Sequence, residues 1–305
     1  MIVTPAPASY NERSVELEPV DVTRAGDLAL LVEGERKRFL FQLQTEGALH
    51  THRGILQHVE MIGVPWGSRV TSHLGRGFVL LQPTIYDLLL YIRRQSQIVF
   101  PKDIGYLLLR LSIGPGRRVA EAGAGSGAMT TALAWTVGET GAVYSYDRRA
   151  DMLALAQRNL ERVGLSSQVH FHERDLREGF LETGLDAVFL DLPEPHHYLD
   201  PVRSALREGG VFGAIVPTSN QVSSLVESLR QHMFGFLEVC EILLRTYKTI
   251  PARIRPDDRM VAHTGYLIFA RPLQEKEPEP GARPEAAAID DSEPATSESE
   301  FEEAG

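Results

Sequence analysis

The nine residues Val119-Ala120-Glu121-Ala122-Gly123-Ala124-Gly125-Ser126-Gly127 combine an apolar run, an acid and three glycines at alternate positions. The apolar run reads as a strand, and Ala128-Met129-Thr130-Thr131-Ala132-Leu133 reads as the helix that follows it. Glycines let a ligand approach the backbone with no side chain between. Amides at a helix N-terminus point toward whatever binds there. The spacing is G-x-G-x-G, not the G-x-G-x-x-G of the dinucleotide fingerprint, and the loop alone is a weak signal for either ligand class. Some ~20 residues on, Ala142-Val143-Tyr144-Ser145-Tyr146-Asp147 is a short strand ending in a carboxylate, which suits a ribose diol. The alternative is a structural turn with Asp147 as a helix cap.

The elements that must position these residues follow from periodicity. Strands are expected at 118–122, 142–147, 168–173, 186–191 and 210–216, and helices at 128–138, 150–163, 199–207 and 219–232. Such alternation predicts a parallel sheet with helices on both faces. The stretches 236–247 and 263–270 read as two closing strands. Ligands of such sheets bind beyond the C-terminal strand ends, so the third and fourth tips matter as well. The third carries Arg174-Asp175-Leu176, where Asp175 is either an acceptor for an adenine amine or a surface turn residue, with Arg177 a neighbouring candidate. The fourth carries Leu190-Asp191-Leu192-Pro193-Glu194-Pro195, a carboxylate followed by prolines that fix the chain. Asp191 is the candidate catalytic group; its alternatives are a helix cap or an ion-pair partner.

Upstream, residues 1–22 show little pattern and are expected to be disordered. Residues 23–82 read as a small all-β module: a hairpin around Glu33-Gly34-Glu35-Arg36, then short strands at 68–71 and 77–81. Residues 84–113 look partly helical, with Pro101 expected to break them. The fold class is therefore α/β with a small N-terminal all-β domain, divided as 1–22, 23–82, 83–272 and 273–305.

The 305 residues are 43% hydrophobic with a net charge of -10, but that charge is unevenly placed. From position 274 to the end there are eleven acidic residues and two basic ones, so the body is close to neutral. The acidic stretch is expected to be disordered; it is either an inert solvated tail or a device that repels RNA from wrong surfaces. With one cysteine, Cys240, neither an intrachain disulfide nor a cysteine-rich zinc site is possible. His196 and His197 are adjacent rather than helically spaced, so no metal is expected. No run of ~18 apolar residues predicts a membrane span, and a cytoplasmic protein is expected.

The glycine loop, Glu121, Asp147 and Asp191 together resemble the class I S-adenosylmethionine-dependent methyltransferases. There the fourth-strand acid lies beside the sulfonium methyl. Asp-Leu-Pro-Glu-Pro lacks the D/N-P-P-Y/F form of many amino-methylating enzymes and suits a ring nitrogen beside an amine. Closer resemblance lies in Thr45-Glu46-Gly47 through His50-Thr51-His52-Arg53-Gly54, Phe100-Pro101-Lys102-Asp103, Thr218-Ser219-Asn220-Gln221-Val222, and Arg255-Pro256 through His263-Thr264-Gly265-Tyr266-Leu267. Over about residues 23–272 the chain resembles the single-chain tRNA (adenine-58-N1)-methyltransferases of bacteria and archaea.

The resemblance implies a Rossmann-like sheet, S-adenosyl-L-methionine as cofactor, tRNA as partner and a homotetramer. It implies that Glu121, Gly123, Gly125, Ser126, Gly127, Ala128, Met129, Asp147, Asp175, Arg177 and Asp191 form the cofactor site. Ser126, Gly127, Ala128 and Met129 would line the methionine end, and Asp147 would hold the ribose. His52, Arg53, Phe100, Lys102 and Arg255 would meet the substrate. Phe100 stands where the family often has Tyr, and Met152 where it often has His. Arg36, Lys37, Arg38, Arg93, Arg94, Arg245, Lys248, Arg253 and Arg259 are further candidates for phosphate contact. The alternative functions are methyl transfer to another acceptor and a non-catalytic tRNA-binding subunit.

Overall fold

The computed structural model describes residues 21–34 and 37–274; the expectations for residues 1–20, for Arg36 and for the acidic stretch 275–305 lie outside them. Short strands with apolar residues on one face build the first part. They are β1 (Leu28–Glu33), β2 (Lys37–Gln42), β3 (Ala48–Thr51), β4 (Gly54–Gln57), β5 (Arg69–Thr71) and β6 (Gly77–Leu81). Four of them form a sheet in the order β2-β1-β6-β5, while β3 and β4 pair as a separate ribbon. Ala29, Leu31, Leu43, Leu56, Phe78 and Leu80 close a core of their own. The β3–β4 ribbon is not among the predicted strands. Its turn carries His52 and Arg53, and it is pinned because the Ser72 hydroxyl donates to the Arg53 carbonyl at 2.7 Å. Gly54 is required there: its φ is +113° and a Cβ would lie 2.8 Å from Ser72 Oγ.

Two helices follow, α1 (Ile85–Leu90) and α2 (Pro101–Arg110). Pro101 does not interrupt a helix but begins one, a position where its missing N–H is not needed. The short α1 starts with a capping box, in which the Thr84 hydroxyl accepts from the Asp87 amide and the Asp87 carboxylate accepts from the Thr84 amide. The same buried carboxylate receives Arg38 of β2 at 2.9 Å. One acid thus caps a helix and ties the N-terminal module to it.

The remainder alternates as the periodicity predicts. The elements are β7 (Arg118–Ala122), α3 (Ala128–Val137), β8 (Ala142–Asp147), α4 (Ala150–Arg162), β9 (Val169–Glu173), β10 (Leu185–Leu190), α5 (Leu199–Ala205), β11 (Leu206–Val216), α6 (Ser219–Gln231), β12 (Phe234–Cys240), β13 (Tyr247–Lys248), β14 (Arg255–Pro256) and β15 (Tyr266–Pro272). Seven strands make the main sheet in the order β12-β15-β11-β10-β7-β8-β9. Its first five members in the chain are parallel, and β15 runs antiparallel between β11 and β12. This is the expected Rossmann-like sheet beside a small all-β region.

Both faces are covered. Val119, Val143, Ala187 and Phe189 cluster with Leu133 and Val137 of α3, whereas Ala120, Ala122, Val188 and Leu190 cluster with Val202 of α5 and Leu225 of α6. Strands buried on both sides read as unbroken apolar runs. Several predicted boundaries shift, and the expected strand 263–270 is Tyr266–Pro272. The sheet takes Leu206 and Arg207 from the end of the expected helix. The expected strand 236–247 is instead Phe234–Cys240, bulged between Gly235 and Glu238 with Phe236 at φ +53°. No helix among the described residues is long and apolar enough to cross a membrane.

Strand order reverses between β7 and β10, and the crevice of an open α/β sheet lies outside the carboxyl ends at such a switch point. We expect Asp87→Ala to lower unfolding free energy by about 2–3 kcal/mol, from the lost cap and the Arg38 guanidinium left without its partner; urea unfolding measures it.

Candidate active site

The tips of β7 and β10 touch. The Asp191 amide donates to the Ala122 carbonyl at 2.9 Å, and a Cβ on Gly123 would lie 2.1 Å from the Asp191 carbonyl oxygen. Gly123 therefore has two reasons to be glycine, its φ of +94° and this approach. Gly127 serves the next contact, since a Cβ there would press on Ala156 of α4 at 2.9 Å. Gly125 faces open space, with nothing nearer than 3.8 Å to its missing Cβ. The loop is held to β8: the Gly123 and Ala124 amides both donate to the Tyr146 carbonyl, at 2.8 and 3.2 Å.

Over this loop lies a cavity of about 650 Å³, walled by the tips of β7, β8, β9 and β10. That is a common size for a small-molecule site. Gly123, Gly125, Asp147, Asp175, Arg177 and Asp191 all line it, as the sequence predicts. The other members of the predicted set stand behind it. Ser126, Ala128 and Met129 are buried, and the Gln95 amide donates to Ser126 Oγ at 3.4 Å. Their side chains are spent on packing, which leaves the backbone for any ligand contact. Glu121 is fully buried beneath the loop and accepts from Ser145 at 2.7 Å.

The acids at the tips differ because their surroundings differ. Burial raises Asp147, but hydrogen bonds from the Arg149 side chain and from the Gly125 and Arg149 amides outweigh it and hold the carboxyl below its usual range. Each Asp147 oxygen accepts two of these bonds, all at 3.1 Å. A carboxylate has about four lone-pair sites, so a diol can bind Asp147 only by displacing the half-exposed Arg149 side chain. Asp191 is exposed at the cavity wall, yet protein crowds around its carboxyl. Burial first, then the Asp147 charge, pushes its carboxyl up to about 6, with Arg149 pulling the other way. Glu121 goes further, to about 7, because burial exceeds the help of its Thr130 and Ser145 hydrogen bonds.

Asp175 is a turn residue, its Oδ1 accepting from the Arg177 amide at 2.9 Å, and it also lines the cavity. Sequence reasoning missed Ser96, Gln97, Arg149, Tyr198 and Gln221, which also line it. Gln221 had a signal, a Thr218 cap opening α6; its amide donates to the Pro193 carbonyl at 2.7 Å and braces the segment after β10.

The predicted substrate residues are not gathered at the cavity: among the residues lining it, none is His52, Arg53, Phe100, Lys102 or Arg255. Lys102 is a correction. Its side chain is only 6% exposed and is bound by Asp103 at 2.7 Å and by Thr264, which ties α2 to the start of β15 and leaves no cation for a phosphate. Arg38 and Lys248 are likewise taken up, by Asp87 and Asp258. Arg53 lies 3.5 Å from Glu33. His52, beside Lys37, and Arg255 are exposed, on the β3–β4 turn and on β14.

The turn beyond Asp191 brings Glu194, His196 and His197 together, a grouping the spacing alone did not suggest. His196 is held below the usual histidine range by burial and by its neighbour His197.

Residues 77–259 match the family model described as the tRNA methyltransferase complex GCD14 subunit, and residues 22–70 match a TrmI-like N-terminal model. The tRNA (adenine(57)-N(1)/adenine(58)-N(1))-methyltransferase TrmI of Methanocaldococcus jannaschii is 33% identical, over 79% of this chain and 94% of its own length. Among solved structures, a SAM-dependent O-methyltransferase of Thermotoga maritima superimposes with a TM-score of 0.79 at 39% identity, over 84% of this chain and 97% of its own. The tRNA (m1A58) methyltransferase TrmI of Aquifex aeolicus gives 0.73 at 38% identity, over 84% and 100%.

Two outcomes follow from the geometry. Gly123→Ala should cost at least about 2 kcal/mol in denaturant unfolding and abolish ligand binding in the cleft, whereas Gly125→Ala should cost only about 1–2 kcal/mol, the left-handed backbone term alone. Glu121 has a folded-state value above its unfolded one, so its contribution to stability is complete in acid and lost as pH rises toward about 7. Glu121→Gln should therefore gain stability over the parent, on the order of 2–3 kcal/mol, between about pH 5 and about pH 8 in thermal melts.

Proposed function

We infer the reaction from the family: this chain belongs to the GCD14 tRNA methyltransferases, and it transfers a methyl group to N1 of an adenine in tRNA, position 58 of the T-loop. The observation that carries this reading is Asp191, placed at the β10 tip against the glycine loop, over a cavity large enough for a nucleoside cofactor.

The cofactor we propose is S-adenosyl-L-methionine. The residues present fit it: Gly125 leaves a bare backbone toward the cavity, Asp147 offers a carboxylate to a ribose, and Asp175 keeps an oxygen free of its turn for an amine. When bound, this cofactor supplies a methyl already activated by a positive sulfur. What remains for the protein is largely orientation of the acceptor nitrogen. As N1 of the base takes the methyl, positive charge spreads over the purine. Asp191 accepts a hydrogen bond from the exocyclic amine and stabilises that charge. The same carboxylate is positioned to take an amine proton afterwards.

The target base must leave the folded T-loop to reach such a site. The N-terminal β module and the 241–265 excursion are the RNA-binding surfaces we propose, with His52, Arg53, Phe100 and Arg255 as contacts. The assembly is a homotetramer, a reading supported by exposed apolar side chains on and beside the β12 edge, Phe236 at 70% and Leu109 at 80%. The location we propose is the cytoplasm, a reading that a tRNA substrate supports. Transfer to an oxygen is the second reading, favoured by the Thermotoga maritima likeness.

Incubating the protein with unmodified tRNA and labelled donor tests the proposal. A methyl on N1 blocks the pairing edge, so reverse transcription should stop at one T-loop adenine. Label in a ribose, or none in RNA, refutes it. Asp191→Asn should retain cofactor binding within several-fold and lose about 100-fold or more in turnover. The ionised carboxylate is the active form and Asp191 sits at about 6, so kcat/KM should fall as pH drops through that value. Arg149→Ala removes a lowering charge and should move the inflection upward.

A further inference from the structure

We propose that Glu194, His196 and His197 form a binding site for a divalent cation of the zinc class, on the turn that follows the candidate catalytic strand. Pro195 opens a single helical turn there, spanning residues 195–198, and the His197 amide donates to the Glu194 carbonyl at 3.2 Å. That turn does what linear spacing does not. It sets the two imidazole rings 4.1 Å apart at 54° and brings Glu194 Oε2 to 3.8 Å from His197 Nδ1. One ligand atom from each of the three residues lies within 4.8 Å of the others.

The donor set is two imidazoles and a carboxylate, the combination found at three-ligand zinc sites that keep a position open for water. Imidazole excludes the hard cations Mg²⁺ and Ca²⁺ as preferred occupants. Bonds of about 2.0–2.1 Å in a tetrahedron put ligand atoms roughly 3.3 Å apart. Glu194 and His197 are exposed, and small rotations of their side chains close the remaining distance. The backbone beneath them is firm, since Pro195 is buried and the Pro193 carbonyl is held by Gln221. His196 adds a second observation: its Nδ1 is out of contact with water and has no hydrogen-bond partner among the described residues. Buried polar atoms normally find a partner; His58 Nε2 and His172 Nε2 share this state, but among the described residues neither stands in a three-ligand group. Glu194 also lines the cavity over the glycine loop, so an ion here draws one wall of that cavity toward the turn. The site does not depend on what the cavity binds.

The test uses the full chain after treatment with a chelator. Calorimetric titration with zinc chloride should show one ion per chain, and cobalt(II) should give the visible absorption of a tetrahedral N/O site. His196→Ala, His197→Ala and Glu194→Gln should each weaken binding by about tenfold or more, with thermal melts in the absence of metal unchanged. His50→Ala, in the N-terminal module, should bind as the parent does, and magnesium should give no heat. Absence of zinc binding by the parent overturns the proposal. So does binding that survives the His196→Ala, His197→Ala double variant, because the ion then lies elsewhere, as on the acidic C-terminal stretch.

Discussion

At the centre of the molecule two strand tips come together with no side chain between them. The backbone of Gly123 lies so close to the Asp191 carbonyl that a single added carbon would overlap it, and the Asp191 amide is bonded to the Ala122 carbonyl. This contact fixes the glycine loop and the candidate catalytic carboxylate relative to each other, at the point where the sheet changes direction. The loop needs positive φ at Gly123, Gly125 and Gly127, and that strain is held by neighbours. Tyr146 supplies its carbonyl to two loop amides, Asp147 takes a third, and Ala156 closes on Gly127. The cavity is the space left over when four strand ends are held this rigidly.

Charge is distributed in that space by environment rather than by residue type. Three acids stand within one another's field. Asp147 is kept ionised by Arg149 and two amides, Asp191 rises to about 6, and Glu121, with no water and no cation, rises to about 7. The carboxylates of Asp147 and Asp191 stand at the cavity wall, although the Arg149 side chain must move for a new partner to reach Asp147. Arg149 is the movable member. It satisfies Asp147 and it tempers Asp191.

The basic residues tell a different story. Arg38, Lys102 and Lys248 looked equivalent to the exposed arginines in the sequence, yet the fold uses them to join parts of itself. The Lys102–Asp103–Thr264 cluster couples the start of α2 to the start of β15, and so anchors the far end of the excursion that carries Arg253, Arg255 and Arg259. Arg253, Arg255 and Arg259 stay exposed on that excursion, while Arg148, Arg149 and Arg177 are exposed at the cavity itself.

The sequence by itself determined the alternating α/β plan, the glycine loop and the acids at four strand tips. Each is a local signal: apolar runs from strands buried on both faces, glycine where φ turns positive, carboxylates at the ends of runs. Tertiary structure decided what depends on distance between residues far apart in the chain. It buried Ser126, Ala128 and Met129 and bonded Ser126 to the Gln95 amide. It turned Lys102 inward, and set Arg149 across Asp147. It also made neighbours of Glu194, His196 and His197 through one tight turn. Burial and charge at a side chain are sums over everything packed around it, and no linear pattern contains that sum.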